Sequence, residues 1–439
     1  MPAQDLVIAR PDGLYCPPGD FYIDPWRPVE RAVVTHAHAD HARRGNGAYL
    51  AAAPAEGVLR ARLGEDIRLQ ALPYGETIDH FGVRVSLHPA GHVLGSAQVR
   101  LEHGGRVWVA SGDYYVAGSS AAAREDNMTC APFEPVRCDC FITESTFGLP
   151  IYRWRPQHDV FADIDAWWRA NAEAGRASLL LGYSFGKAQR ILAGVDASIG
   201  PIVVHGAVEP LNRAYRAAGV ALPPTLRVTD VADKATLKRA LVIAPPSVQN
   251  STWVRRFGDP SDAFASGWMQ LRGARRRRGV DRGFILSDHA DWPGLQRAIA
   301  ASGAERVIVT HGYEAVMVRW LEQQGLQAGS FSTEYGQDDD ELPGGAAAAV
   351  EASERAAGRV AETVSDAAAA RVSVGIDAEP VERGPLDETA VEEATVQATV
   401  VDEPAFIAEA GRKAGDRTTV EDTPPGARRG AQKKPSPRR

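Results

Sequence analysis

Thr35-His36-Ala37-His38-Ala39-Asp40-His41 places four metal-binding side chains within six positions. The run Ala32-Val33-Val34-Thr35 that leads into it is short, apolar and β-branched, the pattern of a buried strand. The cluster is therefore expected at a strand end. There an H-x-H pair can turn two imidazoles onto one ion, and the D-H pair that follows can face a second. Imidazole and carboxylate are the ligands that zinc and manganese use. A histidine-rich surface loop would have the same local composition, but it would not need further ligands at the ends of other strands.

Such residues recur along the chain. The stretch 83–87 alternates and then reaches Pro89-Ala90-Gly91-His92. Val107-Trp108-Val109-Ala110 runs into Ser111-Gly112-Asp113, and Cys140-Phe141-Ile142-Thr143 into Glu144. Much later, 283–286 and 306–310 end in Ser287-Asp288-His289 and His311. Each reads as a buried strand that delivers a polar residue at its C-terminal end. Between them, 161–265 mixes helical stretches (163–174, 187–197) with short strands (178–181, 201–204). That alternation predicts an inserted α/β unit with its own sheet. Strands before and after the insertion would then point their histidines at one site.

The first cluster resembles the H-x-H-x-D-H signature of the metallo-β-lactamase superfamily. Pro89-Ala90-Gly91-His92 resembles the next histidine motif of that family, and Ser111-Gly112-Asp113 its bridging aspartate. The resemblance implies that His36, His38 and His92 hold one divalent metal ion. Asp40, His41 and His311 would hold the second, with Asp113 between both; zinc is the expected metal and manganese the alternative. Asp24, in Tyr22-Ile23-Asp24-Pro25, resembles the family's early aspartate, which orients a ligand from behind. A turn-capping Asp before Pro would look the same.

Thr143-Glu144-Ser145-Thr146-Phe147-Gly148 resembles the acidic motif that opens the β-CASP insertion of nucleic-acid-processing members. Ser287-Asp288-His289-Ala290-Asp291 resembles the histidine motif that closes it, and Thr310-His311-Gly312 the last histidine motif. The expected fold is thus α/β: a metallo-β-lactamase αββα sandwich with an inserted β-CASP α/β domain and a disordered C-terminal tail. The expected division is 1–144 and 283–336 for the sandwich, 145–282 for the insertion and 337–439 for the tail.

Two segments suggest phosphate handling. Gly182-Tyr183-Ser184-Phe185-Gly186-Lys187-Ala188-Gln189 leaves a strand and enters a helix, where Ser184 and Lys187 could meet a backbone phosphate. A plain strand-to-helix turn is the alternative. Arg272-Gly273-Ala274-Arg275-Arg276-Arg277-Arg278 would attract a polyphosphate backbone, unless it is only a solvated basic loop. Phe264-Ala265-Ser266-Gly267-Trp268-Met269, this arginine run and the stretch from Arg282 to His289 together resemble the bacterial ligase-associated DNA exonucleases of the DNA-damage response. That resemblance implies a two-metal phosphodiesterase acting on DNA, with Asp113, Glu144 and His289 in catalytic roles and a DNA ligase and a helicase as partners. His289 would protonate the departing sugar oxygen, held by Glu144. RNA 3′-end processing by a β-CASP ribonuclease is the competing reading. A small-molecule hydrolase and an inactive nucleic-acid-binding scaffold fit the motifs less well.

Bulk properties bound this picture. The 439 residues are 44% hydrophobic, enough for a substantial core. The net charge of −7 taken alone argues against nucleic acid, but roughly 21 acids and 13 bases lie beyond Gly336, leaving the rest near neutral. That tail is rich in Ala, Glu, Val, Gly and Pro and cannot form a packed core. Its basic end (Arg428, Arg429, Lys433, Lys434, Arg438, Arg439) is expected to stay solvated or to make a weak DNA contact. The four cysteines suggest no disulfide framework, and Cys138 and Cys140 read as buried thiols rather than a zinc pair. No signal core and no run of ~20 apolar residues occurs, so a cytoplasmic protein without a membrane partner is expected.

Overall fold

The computed structural model describes residues 5–118, 129–231, 233–249 and 251–335; the segment 337–439, expected to be a disordered tail, lies outside the described residues. Among the described residues the architecture is mixed α/β with three sheets. The first runs Ile8–Arg10, Gly13–Cys16, Phe21–Ile23, Arg31–Val33, Ala48–Ala52, Leu69–Leu72 in order across the sheet. The second runs Gln327–Ser330, Arg306–Gly312, Cys140–Ser145, Arg106–Ala110, Ala97–His103, Val83–Pro89, Thr77–His80.

These two sheets share one core. Leu14, Ile23, Val33 and Leu50 of the first pack with Val85, Leu101, Trp108, Ile142 and Ile308 of the second. The opposite faces are covered by helices. Val58 and Leu59 of the helix Glu56–Leu63 join Ala32, Tyr49 and Ala51. Leu295 and Ile299 of Trp292–Ser302, with Met317 and Leu321 of Glu314–Gln323, join Val109, Phe141 and Val307. Alternate side chains of the central strands, such as Ala32 and Val33 or Trp108 and Val109, thus reach two cores, as the period of two requires.

The third sheet lies wholly within 178–284. Its order is Leu226–Arg227, Ile202–Val204, Leu241–Ala244, Ser178–Leu181, Ser261–Ala265, Arg282–Phe284, and all its pairings are parallel. Parallel strands with helices on both faces are buried on both sides, so they read as unbroken apolar runs such as Leu179-Leu180-Leu181. The helix expected over 163–174 starts earlier, as Gln157–Glu173 behind Pro156. The helix expected over 187–197 stops at Gly194, and Val195 turns extended. Gly194 packs directly on the Phe161 ring; a Cβ there would lie 2.3 Å from it.

Candidate metal centre and nucleic-acid interface

Every candidate ligand sits where a strand gives way to a loop or at a strand's last residues. His36, His38, Asp40 and His41 follow Arg31–Val33; His92 follows Val83–Pro89; Asp113 follows Arg106–Ala110; His311 lies near the end of Arg306–Gly312. Gly112 (φ 57°) makes the last approach possible: a Cβ there would lie 2.6 Å from the Thr35 hydroxyl.

Asp113 is the centre of the cluster. Its Oδ2 lies 3.4 Å from His36 Nε2, 3.5 Å from His41 Nε2 and 3.9 Å from His92 Nε2. Its Oδ1 lies 3.1 Å from His311 Nε2. The donor atoms of His36, His38, His92 and Asp113 form one group within 4.8 Å, and those of His41, Asp113 and His311 a second. Asp40 stands beside the second group, its Oδ2 3.5 Å from His41 Nε2.

The backs of the rings are fixed by hydrogen bonds, which also assign the tautomers. Asp24 Oδ2 accepts from the Thr35 hydroxyl and, at 2.7 Å, from His41 Nδ1. With its proton committed, Thr35 Oγ1 can only accept from His36 Nδ1, 3.1 Å away. The same relay recurs at the other end of the chain: the Thr310 hydroxyl donates to Thr143 O and faces His311 Nδ1 at 3.0 Å. His92 Nδ1 donates to Asp288 O at 2.8 Å. In His36, His41, His92 and His311, therefore, Nε2 turns inward as a ligand atom.

This donor set fits cations. The Nε2 atoms of His36 and His41 are buried and make no hydrogen bond. His92 Nε2 faces His38 Nδ1 at 3.0 Å, while His38 Nε2 lies 3.4 Å from Phe185 O. Two lone pairs so placed repel each other unless a proton or a metal ion lies between them. Burial and the neighbouring His41 push His36 well below the usual imidazole range; burial lowers His38 to about 4 and His92 well below its ordinary value. Burial would also lower His41, but Asp40 and Asp113 outweigh it and raise the ring to about 10. Despite its burial, Asp113 stays well below the carboxylate range because His41, His289 and His311 face it.

Beside this cluster, His289 Nδ1 lies 3.1 and 2.9 Å from the two Glu144 oxygens. Glu144 Oε1 also accepts from the Tyr114 amide at 2.9 Å. Burial would strip the His289 proton, but Glu144 and then Asp113 hold it, and the ring rises to about 9. Its side chain is 13% exposed against 0% for Glu144, so the imidazole can be reached from outside and the carboxylate cannot.

The expected phosphate contacts divide. Lys187 is turned inward, 2% exposed, with Nζ 2.8 Å from Asp288 Oδ1 and 2.9 Å from Leu286 O. This corrects the expectation for Lys187: the ammonium is buried and commits two of its three N–H donors to a carboxylate and a carbonyl inside the protein. Ser184 is half-buried in the same turn, where its carbonyl accepts from Gln189 Nε2. Gly186 (φ 78°) lets that turn press on Val93; a Cβ would lie 2.3 Å from Val93 Cγ1. The arginine run forms the short helix Arg272–Arg278. Arg275, Arg276 and Arg277 are exposed, although Arg275 Nε donates to Met269 O. Arg278 is a second correction: it is 8% exposed, with its guanidinium 4.2 Å above the Phe264 ring. A groove of about 390 Å³ lies at the base of this helix, lined by Arg155, Arg275 and Arg282 and by Asp163 and Asp281.

Three participants escaped the sequence reading. Tyr335 stacks on His41 (4.5 Å, 14°) and donates to Asp24 O at 3.0 Å. Arg190 donates to His92 O at 2.9 Å. Trp154 donates its indole N–H to His289 O at 2.9 Å. Only the recurrence of Thr before His, at 35–36 and 310–311, left a local trace of such supporting bonds.

No protein-family profile matches the chain. Over 317 residues it is 34% identical to a protein of Opitutus terrae named a probable DNA ligase, covering 72% of this chain and 30% of that one. Over 131 residues it is 30% identical to endoribonuclease YSH1 of Candida albicans, covering 29% of this chain and 14% of the relative. Over 130 residues it is 28% identical to cleavage and polyadenylation specificity factor 73 of Drosophila melanogaster, covering 29% and 18%. The chain thus spans less than a third of each of these relatives. Three separate strand ends bring histidines around one buried aspartate and a Glu–His pair stands beside them, in keeping with these likenesses: the chain is similar to nucleases of the β-CASP, metallo-β-lactamase-fold type.

Proposed function

We propose that this chain is a metal-dependent phosphodiesterase that degrades DNA from an end during DNA repair. The observation that carries the reading is the Glu144–His289 pair, set directly against the His/Asp cluster. On this reading the two facing sheets and their outer helices are the αββα sandwich, the third sheet is the β-CASP insertion, and 337–439 is a solvated tail.

His36, His38 and His92 would hold one cation and Asp40, His41 and His311 the other, with Asp113 shared. Bound divalent ions supply Lewis acidity, which lowers the pKa of water and offsets charge that grows on phosphoryl oxygens. The residues of the chain do the rest. Asp24, Thr35, Thr310 and the Asp288 carbonyl hold the ligand rings in the unprotonated-Nε2 tautomer. His289 carries a proton at Nε2 and gives it to the leaving sugar oxygen. Cations beside Asp113 offset that carboxylate's hold on His289, but not that of Glu144, whose two oxygens both face Nδ1.

DNA is favoured over RNA by the extent of the likenesses. The protein named a probable DNA ligase matches 72% of the chain, the endoribonucleases about 29%. Because the match fills only 30% of that relative, a region like this one is joined there to further sequence, which supports a ligase as a working partner. Incubating the chain with end-labelled single-stranded DNA, duplex DNA and RNA, each with Zn²⁺ or Mn²⁺, tests the proposal. Mononucleotides released progressively from DNA are expected. Cleavage of RNA alone would favour RNA processing, and cleavage of none would refute the nuclease reading.

A further inference from the structure

We propose that Trp154 forms a nucleobase-stacking site, which holds one unpaired base of the substrate strand next to the scissile phosphate. The inference rests on the nuclease reading above and adds the part of the substrate that is recognised.

The segment Ile151-Tyr152-Arg153-Trp154-Arg155 interleaves apolar and basic side chains, with Tyr152 buried and the other four reaching the surface. Ile151 is 52% exposed, Arg153 and Arg155 are exposed, and Trp154 is half-buried between them. Yet the segment is pinned to the catalytic loop. The Trp154 amide donates to Asp291 Oδ2 at 3.0 Å and its indole N–H to His289 O at 2.9 Å. Phe147 bridges the two rings, 4.8 Å from Trp154 and 6.0 Å from His289. Trp268, also half-buried, packs on Phe147 at 4.8 Å and leads into the arginine helix.

An indole fixed at both its backbone and its ring nitrogen loses little entropy on meeting a base, and its π-face accepts any of the four. The exposed Arg153 guanidinium suits a phosphate beside that base, whereas Arg155 is already paired with Asp163 at 2.9 Å. Duplex bases are covered by their neighbours, so the site selects a single strand. The indole's bond to the carbonyl of His289 places the stacked nucleotide beside the residue that would protonate the leaving oxygen.

The test is equilibrium binding of labelled single-stranded oligothymidylate to the full chain carrying Asp113→Asn, which blocks turnover. One abasic residue is moved position by position along the oligonucleotide. Affinity is expected to fall by roughly 5- to 150-fold at one position and little elsewhere, the size of one stacked base. Trp154→Ala, combined with Asp113→Asn, is expected to lose the same factor and to become insensitive to the abasic position, and Trp154→Phe to regain most of it. A flat abasic scan with tight overall binding would overturn the stacking site alone, and so would an unchanged scan in Trp154→Ala. Absence of any oligonucleotide binding would overturn the nuclease reading together with it. If Trp154→Ala does not fold, the scan with the Trp154-containing chain decides.

Discussion

Asp24 Oδ2 lies 2.7 Å from His41 Nδ1 and also accepts from the Thr35 hydroxyl, which in turn faces His36 Nδ1. One carboxylate thereby orients a ring on each side of Asp113. Asp24 reaches this position with φ at 44°, an uncommon backbone for a residue with a Cβ. Supporting bonds of this kind typically change metal affinity by about 10- to 100-fold. Asp24→Asn is expected to weaken divalent-ion binding by that factor in calorimetric titration while the chain stays folded. Unchanged affinity would leave Asp24 a mere turn residue.

Lys187 joins the inserted unit to the segment that bears His289. The pair with Asp288 is buried on both sides, and Asp288 offers its carbonyl to His92. Removing one partner of a buried pair costs about 3–5 kcal/mol, since the other charge is stranded. Lys187→Met is expected to lose that much stability in urea unfolding of the metal-free chain. Lys187→Met combined with Asp288→Asn should recover part of it. A single variant as stable as the parent would show that the pair is not held as described.

The arginine helix splits into two roles. Replacing Arg275, Arg276 and Arg277 with Ala is expected to flatten the salt dependence of single-strand binding. Each lost phosphate contact should reduce the log–log slope by about 0.7. Arg278→Ala should instead lower the melting temperature with the slope unchanged, because its guanidinium lies on Phe264. Equal effects on the slope from all four would contradict this division.

Tyr335 marks where truncation becomes harmful. A chain ending at 336 keeps the stack on His41 and is expected to bind metal normally. A chain ending at 334 loses it, together with the bond to Asp24 O. Weaker metal binding is expected only for the shorter one, measured by the same titration.

The strand ends were legible because apolar runs such as Val107-Trp108-Val109-Ala110 stop abruptly at Ser111-Gly112-Asp113, a local signal. The inserted sheet was legible as alternating helical and apolar stretches. Lys187 was misread because a glycine-rich turn ending in Lys looks the same whether the ammonium faces a phosphate or a carboxylate. Here the carboxylate belongs to Asp288, far along the chain. Arg278 was misread for a related reason: its helix presents four arginines outward and rotates the fifth onto Phe264. Tyr335 and Trp154 left no trace, since a lone aromatic carries no period and their hydrogen-bond partners, Asp24 for one and His289 and Asp291 for the other, lie far along the chain.

The most direct test of the account is the leaving-group dependence of His289→Ala, with its metal content measured on the same sample. His289 is held by Glu144, whereas His311 faces Asp113 at 3.1 Å among the candidate ligands. His289→Ala should therefore keep the parent's complement of metal. Its hydrolysis of natural DNA should fall by roughly 10²- to 10⁴-fold, the usual contribution of general acid catalysis, while a nitrophenyl phosphodiester, whose leaving group needs no proton, is far less affected. Loss of a metal ion from His289→Ala, or equal slowing of both substrates, would contradict the assignment of His289 as the proton donor.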